Sequence, residues 1–270
     1  MPEPSERLVE ELMTPVPVVV AQTATIGECT LRMHHLNVRH LPVVDDEGRI
    51  AGLVLDSALH RLGAVFGTEY VAFDLEDERK TAREVARPAD VLVEQDTPLN
   101  ELLRRMGRTR QDAAVVIDED VHPVGIVTEH DLLKVALDVV PAELTVEQLP
   151  PRLHVSLSLD APASLALDAM ERLAVRHLVV TDRRGRIGAV VSHRDLVAED
   201  VLRRDVPTAD VVRSLHPVTV APGATVRSCA EKMLEGHIGC LPVVVDDRPL
   251  RLVSRRDVID AAARRLAAEG

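Results

Sequence analysis

The sequence predicts an α/β protein (α+β repeats) built from four copies of one β-α-β-β-α unit, and three observations lead there. Four of its six methionines, Met33, Met106, Met170 and Met233, recur at intervals of 73, 64 and 63 residues. Each methionine closes a stretch with apolar or small residues at i, i+3, i+4 and i+7, the spacing of one helix face. Two β-branched runs follow each of these stretches, and in three copies the second run ends in Ser/Thr-x-x-Asp.

Taken in order, each unit opens with a Val-rich run: Val18 to Val20, Val91 to Val93, Leu153 to Leu159, and Val218 to Val220. Turn residues separate this strand from the helix, and Pro98 and Pro162 suit a first helical turn. The helix faces are Ile26, Cys29, Thr30 and Met33, then Leu99, Leu102, Leu103 and Met106, then Ala163, Ala166, Leu167 and Met170, then Val226, Cys229, Ala230 and Met233. Thr30 is the single polar residue among them. Two strands follow, exemplified by Leu41 to Val44 and Ile50 to Leu55, joined by Asp/Gly-type turns. A second helix begins at once, as in Asp131 to Val135. The repeats are expected at 8–66, 80–138, 143–202 and 206–268. A unit of about 60 residues buries a limited core and gains by packing against a copy of itself. The longer first interval places an insertion at Gly67 to Ala82, read as a connector or cap.

Composition removes several functions. The chain carries 44 acidic against 32 basic side chains, a formal charge of −12. Such a chain is a poor ligand for nucleic acid, whose affinity rests on Lys and Arg. Its three aromatic residues, Phe66, Tyr70 and Phe73, offer no base-stacking platform. No apolar run approaches the roughly 18 residues that span a bilayer, and the acidic, Pro-rich start does not read as a secretory signal. Cys29, Cys229 and Cys240 lack metal-ligand spacing, and their odd number argues against a disulfide framework. A cytoplasmic protein without a metal, membrane or nucleic-acid partner is expected.

The chemistry concentrates where the third strand meets the second helix. Copy two reads Gly125 to Leu132 with Thr128 and Asp131; copy three has Ser192 and Asp195; copy four has Ser254 and Asp257. Copy one has Leu55 and Ala58 in those places. A hydroxyl followed three residues later by an acid is a capping-box pattern. The same helix start presents free N–H groups and positive partial charge to a phosphate, and a carboxylate one turn on suits ribose hydroxyls. The two roles are compatible.

The β-α-β-β-α unit, the Leu41-Pro42-Val43-Val44 run, the G-h-h-T/S-x-x-D ending and Met13-Thr14-Pro15 before the first strand together resemble the cystathionine-β-synthase (CBS) domain, in four copies covering nearly the whole chain. The resemblance implies two Bateman modules, copies one with two and three with four, with ligand clefts between partners. It implies an adenine nucleotide (AMP, ADP or ATP), with S-adenosylmethionine or a cyclic dinucleotide as alternatives, the Ser/Thr contacting phosphate and the Asp holding ribose. Thr128 and Asp131 then form the most complete site. Ser192 and Asp195 follow, with Ala189 in place of the motif glycine. Ser254 and Asp257 come third, with Arg251 there, so that close ligand approach is in question, and copy one carries no ordinary site. Arg39, His40, Arg176 and His177, at matching places before the second strand, would reach phosphates from across the cleft; read alone, they also suit a helix C-terminus. With so few aromatics, adenine is expected in an aliphatic slot. No nucleophile, metal set or Gly-rich phosphate loop is present, so a non-catalytic regulatory protein is expected, acting as a homodimer or on a regulated partner protein. A ligand-free interaction scaffold is the rival.

Overall fold

The computed structural model describes residues 7–61, 65–66, 71–72, 79–109, 111–151, 155–173, 175–198, 206–212 and 214–268. The chain divides into two compact units, Met1–Val139 with Ile259–Gly270, and Val140–Val258. In the first repeat, β1 (Thr14–Pro15), β2 (Val20–Ala21), α1 (Ile26–Leu36), β3 (His40–Val44), β4 (Ile50–Leu55) and α2 (Asp56–Arg61) follow one another. A two-stranded hairpin, β5 (Val65–Phe66) and β6 (Val71–Ala72), lies in and beside the expected insertion. The second repeat comprises α3 (Ala82–Val85), β7 (Leu92–Glu94), α4 (Leu99–Arg108), β8 (Ala113–Ile117), β9 (Pro123–Thr128) and α5 (Glu129–Val139). The third has β10 (Ser156–Ser158), α6 (Ala163–Leu173), β11 (His177–Thr181), β12 (Ile187–Ser192) and α7 (His193–Ala198). The fourth has α8 (Thr208–Val211), α9 (Val226–Glu235), β13 (Cys240–Val245), β14 (Arg248–Ser254) and α10 (Arg255–Ala268).

The four repeats share one wiring. A parallel first strand joins an antiparallel hairpin in β2-β3-β4, β7-β8-β9 and β10-β11-β12. Each hairpin slips register at the same place, at Val43/Val44, Val116/Ile117, Val180/Thr181 and Val243/Val244. In the fourth repeat the expected strand at Val218–Val220 shrinks to one bridge, Val220 to Val243, and Val218 is 52% exposed. The sixteen helix-face residues are all buried. Thr30 fits among them because its hydroxyl donates to the Ile26 carbonyl at 2.8 Å, which satisfies the buried polar group. Pro98 and Pro162 stand one residue earlier than expected, before α4 and α6 and not within their first turns.

Pairing of repeats is built by exchange of their lead-in segments. Ala82 and Val85, in the lead-in that opens the second repeat, pack into the first repeat's core with Ile26, Met33, Leu41 and Val54. Ala82 N–H donates to Ala24 O at 2.7 Å and Ile26 N–H donates to Lys80 O at 3.1 Å. The first repeat's lead-in returns the exchange, with Val9 N–H donating to Thr97 O and Leu99 N–H to Arg7 O, both at 2.9 Å. In the second unit, Val146 N–H donates to Ala224 O at 2.9 Å, and Thr208 N–H to Ala161 O at 2.8 Å. Copy one therefore interlocks with copy two, and copy three with copy four. Between copies one and two lies an aliphatic layer of Leu53, Leu55, Ala113 and Val115, flanked by Ile50, Leu92 and Ile126. Burying such side chains stabilises by about 1.5–3 kcal/mol for each Val, Leu or Ile.

Candidate functional site

The register fixes where each Ser/Thr sits. Thr128 closes β9 opposite Ala113, Ser192 closes β12 opposite His177, and Ser254 closes β14 opposite Cys240. In every case the next residue starts a helix, so the hydroxyl stands at the N-cap and the aspartate at the third helical position. Thr128 N–H and Oγ1 both donate to Asp131 Oδ2, at 2.9 and 2.7 Å. Ser192 N–H and Oγ donate to Asp195 Oδ2 at 2.9 and 2.6 Å, and Asp195 N–H donates back to Ser192 Oγ at 3.3 Å. Ser254 N–H and Oγ donate to Asp257 Oδ2 at 2.8 and 2.7 Å. Asp195 and Asp257 are buried, at 8% and 5% exposure.

These are helix caps, and each engages the hydroxyl proton with the carboxylate. A phosphate placed here accepts from the first-turn amides; it takes the hydroxyl proton only if the hydroxyl turns away from its aspartate. In copy one the equivalent of Thr128 is the buried Leu55, which joins the interface layer, while Asp56 Oδ1 accepts from Ser57 N–H at 2.7 Å.

The motif glycine has a different task from close ligand approach. A Cβ on Gly125 would collide with Met13 Sδ, and β1 pairs Pro15 with Gly125 itself. At Gly52, a Cβ would come within 3.0 Å of Ala86 Cβ and 3.1 Å of Arg87 O. Both glycines make room for the partner repeat's lead-in. Arg251 holds the same register position in β14, and its guanidinium donates to Val146 O, Leu149 O and Pro150 O at 3.4, 3.2 and 3.0 Å. Arg251 clasps the lead-in that the glycines admit.

Of the four expected basic residues, His40 and His177 begin β3 and β11, and both rings face the partner repeat. His40 Nε2 lies 3.3 Å from Asp112 Oδ1, and the Asp112 carbonyl accepts from Glu129 N–H at 3.0 Å, one residue past Thr128. His177 lies against Gly239, where a Cβ would be 2.8 Å from its Cε1, and the Gly239 carbonyl accepts from Arg255 N–H at 3.2 Å, one residue past Ser254. Each histidine thus approaches the cap of the even-numbered copy. Arg39 and Arg176 accept, through their carbonyls, the N–H groups of Asp56 and His193 at 3.0 and 2.9 Å. Sequence reasoning passed over Asp112 and Arg87, and read Arg251 only as a replacement for the motif glycine; their one sequence signal is a charge at a place where the other copies carry something else.

The rest of the surface supplies little competing chemistry. A depression of about 380 Å³ is lined by Leu92, Glu94, Thr97, Glu101, Arg105 and Ile117 of the second repeat, and neither Thr128 nor Asp131 reaches it. Burial pushes the Cys29 and Cys229 thiols up to about 11 and Cys240 up to about 12, so they stay protonated. Among the described residues no cluster of His, Cys, Asp or Glu suits a metal ion, and no helix is long and apolar enough to cross a membrane. Tyr70 and Phe73 and the side chain of Phe66 lie outside the described residues, as does the side chain of Arg194.

The CBS domain family matches the chain over residues 9–63, 82–138 and 198–264. An uncharacterized 33.4 kDa protein in the ribosomal RNA operon of Thermofilum pendens is 24% identical over 262 residues, 89% of this chain and 86% of that protein. L-aspartate semialdehyde sulfurtransferase of Methanocaldococcus jannaschii is 23% identical over 125 residues, which are 46% of this chain but 22% of the sulfurtransferase. Among solved structures, protein MJ1225 of M. jannaschii superposes with a TM-score of 0.78 at 17% identity, over 94% of this chain and 99% of that one.

Proposed function

We propose, since this chain belongs to the CBS domain family, that it is a non-catalytic regulatory protein binding AMP, ADP or ATP in clefts between paired repeats. Repeats at 8–66, 80–138, 143–202 and 206–268 form its two Bateman modules. Thr128 with Asp131, Ser192 with Asp195, and Ser254 with Asp257 hold phosphate and ribose, and Arg39, His40, Arg176 and His177 supply positive charge from the partner repeat. The observation that carries this reading is the threefold recurrence of a hydroxyl–carboxylate pair at a helix start, which in copy two lies opposite Ala113 of an aliphatic layer. The aliphatic layer is where adenine would sit, flat against Val, Leu and Ile in place of a ring.

Ligand binding acts by differential affinity: a nucleotide seated between two repeats favours whichever arrangement binds it more tightly. The output is a change in a homodimer or in a regulated partner protein within the cytoplasm. Nucleic acid and membrane are not proposed as partners. No reaction is proposed for this chain, which spans only a fifth of the length of the sulfurtransferase it resembles. A thermal-shift screen of AMP, ADP, ATP, S-adenosylmethionine and cyclic dinucleotides tests the reading, because a ligand that binds only the folded state raises Tm. One observation favours a second reading, a ligand-free scaffold: each hydroxyl proton already goes to its own aspartate. If no adenosine compound raises Tm at millimolar concentration, the scaffold stands.

A further inference from the structure

Three side chains, His40 of copy one and Arg87 and Asp112 of copy two, meet inside the first unit where copy two faces copy one, the copy without Ser/Thr-x-x-Asp. Asp112 Oδ1 lies 2.9 Å from Arg87 Nη2 and 3.3 Å from His40 Nε2. The His40 and Asp112 side chains are 10% and 11% exposed, and that of Arg87 is 39% exposed. Arg87 is fixed by its backbone: Leu53 N–H donates to Arg87 O at 2.9 Å and Arg87 N–H donates to Leu53 O at 3.1 Å. That clip holds the Arg87 backbone against β4 at Leu53, two residues before Leu55. By strand register, Asp112 occupies the position of Arg39 in copy one, Arg176 in copy three and Gly239 in copy four. A carboxylate thus stands where two of the other copies carry an arginine, and a guanidinium and an imidazole both lie near one of its oxygens.

We propose that Asp112 is a built-in anion occupying a latent oxyanion site in copy one, formed by Arg87 and His40 and suited to a phosphate group. The chemistry matches: a guanidinium that donates to a carboxylate oxygen, with an imidazole nitrogen 3.3 Å from the same oxygen, recognises a phosphate in the same way. The tether settles the competition, since a carboxylate fixed to the fold has an effective concentration that a free anion in millimolar supply does not match. Copy one lacks the aspartate that would hold a ribose, so the group admitted is an oxyanion rather than a nucleoside. Copy one is then closed by occupancy as well as by its missing motif. The inference stands whether or not the other copies take nucleotides, because its probe is inorganic phosphate.

The test uses the full chain as wild type, Asp112→Ala and Arg87→Ala/Asp112→Ala, titrated with inorganic phosphate at constant ionic strength set by NaCl. Asp112→Ala is expected to bind phosphate at least about tenfold more tightly than wild type, with a matching phosphate-dependent rise in Tm. Both gains are expected to vanish in the double variant. Equal phosphate responses in wild type and Asp112→Ala overturn the proposal, as does a gain that survives the loss of Arg87 or that NaCl alone reproduces. Should Asp112→Ala not fold, Asp112→Asn keeps the shape, removes the charge and carries the same comparison.

Discussion

Asp131 separates its two roles when it is changed in two ways. Its Oδ2 accepts from Thr128 N–H at 2.9 Å and from Thr128 Oγ1 at 2.7 Å, on a half-buried helix start. Asp131→Ala removes the one oxygen that accepts both bonds. The lost cap costs about 1 kcal/mol, and leaving a partly buried donor without its acceptor adds about 1 kcal/mol more. Asp131→Asn keeps a carbonyl oxygen able to accept both bonds, and loses only the charge that favours a helix N-terminus, roughly 0.3–1 kcal/mol. Hydrogen exchange across α5 reads this directly, because local opening scales with local stability. The alanine variant is expected to speed exchange in Glu129–Val139 by about 30-fold and the asparagine variant by about threefold, at one decade per 1.4 kcal/mol. Equal acceleration in the two variants would refute the capping argument, and so would no acceleration in either.

Further expectations follow from the same geometry. Arg251→Ala strands three lead-in carbonyls at the surface of the second unit and is expected to lower its urea midpoint by the equivalent of about 1–2 kcal/mol, with an unchanged m-value; no shift would mean that the clasp carries no weight. His122 bridges two hairpins, its Nε2 meeting Glu47 O at 3.0 Å and its Nδ1 lying 3.3 Å from Asp118 Oδ2. The Glu47 carbonyl does most to raise its pKa above the ordinary 6.5; desolvation, the next-largest effect, opposes it, and Asp118 adds to the rise. The folded value lies above the unfolded one, so the stabilisation is complete below about 6.5 and fades as pH rises through the folded value. Tm measured across that interval should fall in wild type and stay flatter in His122→Ala. The three thiols, held protonated by burial, should resist a disulfide reagent in the native state and react only as fast as their cores open; prompt labelling would contradict their placement.

Much of the fold was legible because it rests on strong periodicity. The sixteen helix-face positions run through helices of 10 or 11 residues, long enough for a 3.6-residue repeat to declare itself. The exchange of lead-ins was not legible. Segments such as Val9–Glu11, Ala82–Val85 and Val146–Gln148 have three or four residues, too few for any period, and their backbone hydrogen-bond partners in the paired repeat lie more than 50 residues away in the chain. The motif glycines show the consequence. Read from sequence, Gly125 speaks of a ligand coming close; in the fold it is Met13 that comes close. The cap geometry of Thr128, Ser192 and Ser254 follows from local sequence, whereas the meeting of His40 with Asp112 depends on how two repeats face each other, which no local pattern encodes.

The central claim is that the three hydroxyl–aspartate caps are also nucleotide sites, and calorimetric titration with AMP tests it most directly. Wild type is compared with Asp131→Asn/Asp195→Asn/Asp257→Asn, which keeps a cap acceptor at every helix while removing each carboxylate proposed to bind ribose. The account predicts saturable AMP binding to wild type and at least about a tenfold loss in the triple variant, with far-ultraviolet circular dichroism unchanged. Equal AMP affinity in the two proteins, or no binding to either, would contradict it.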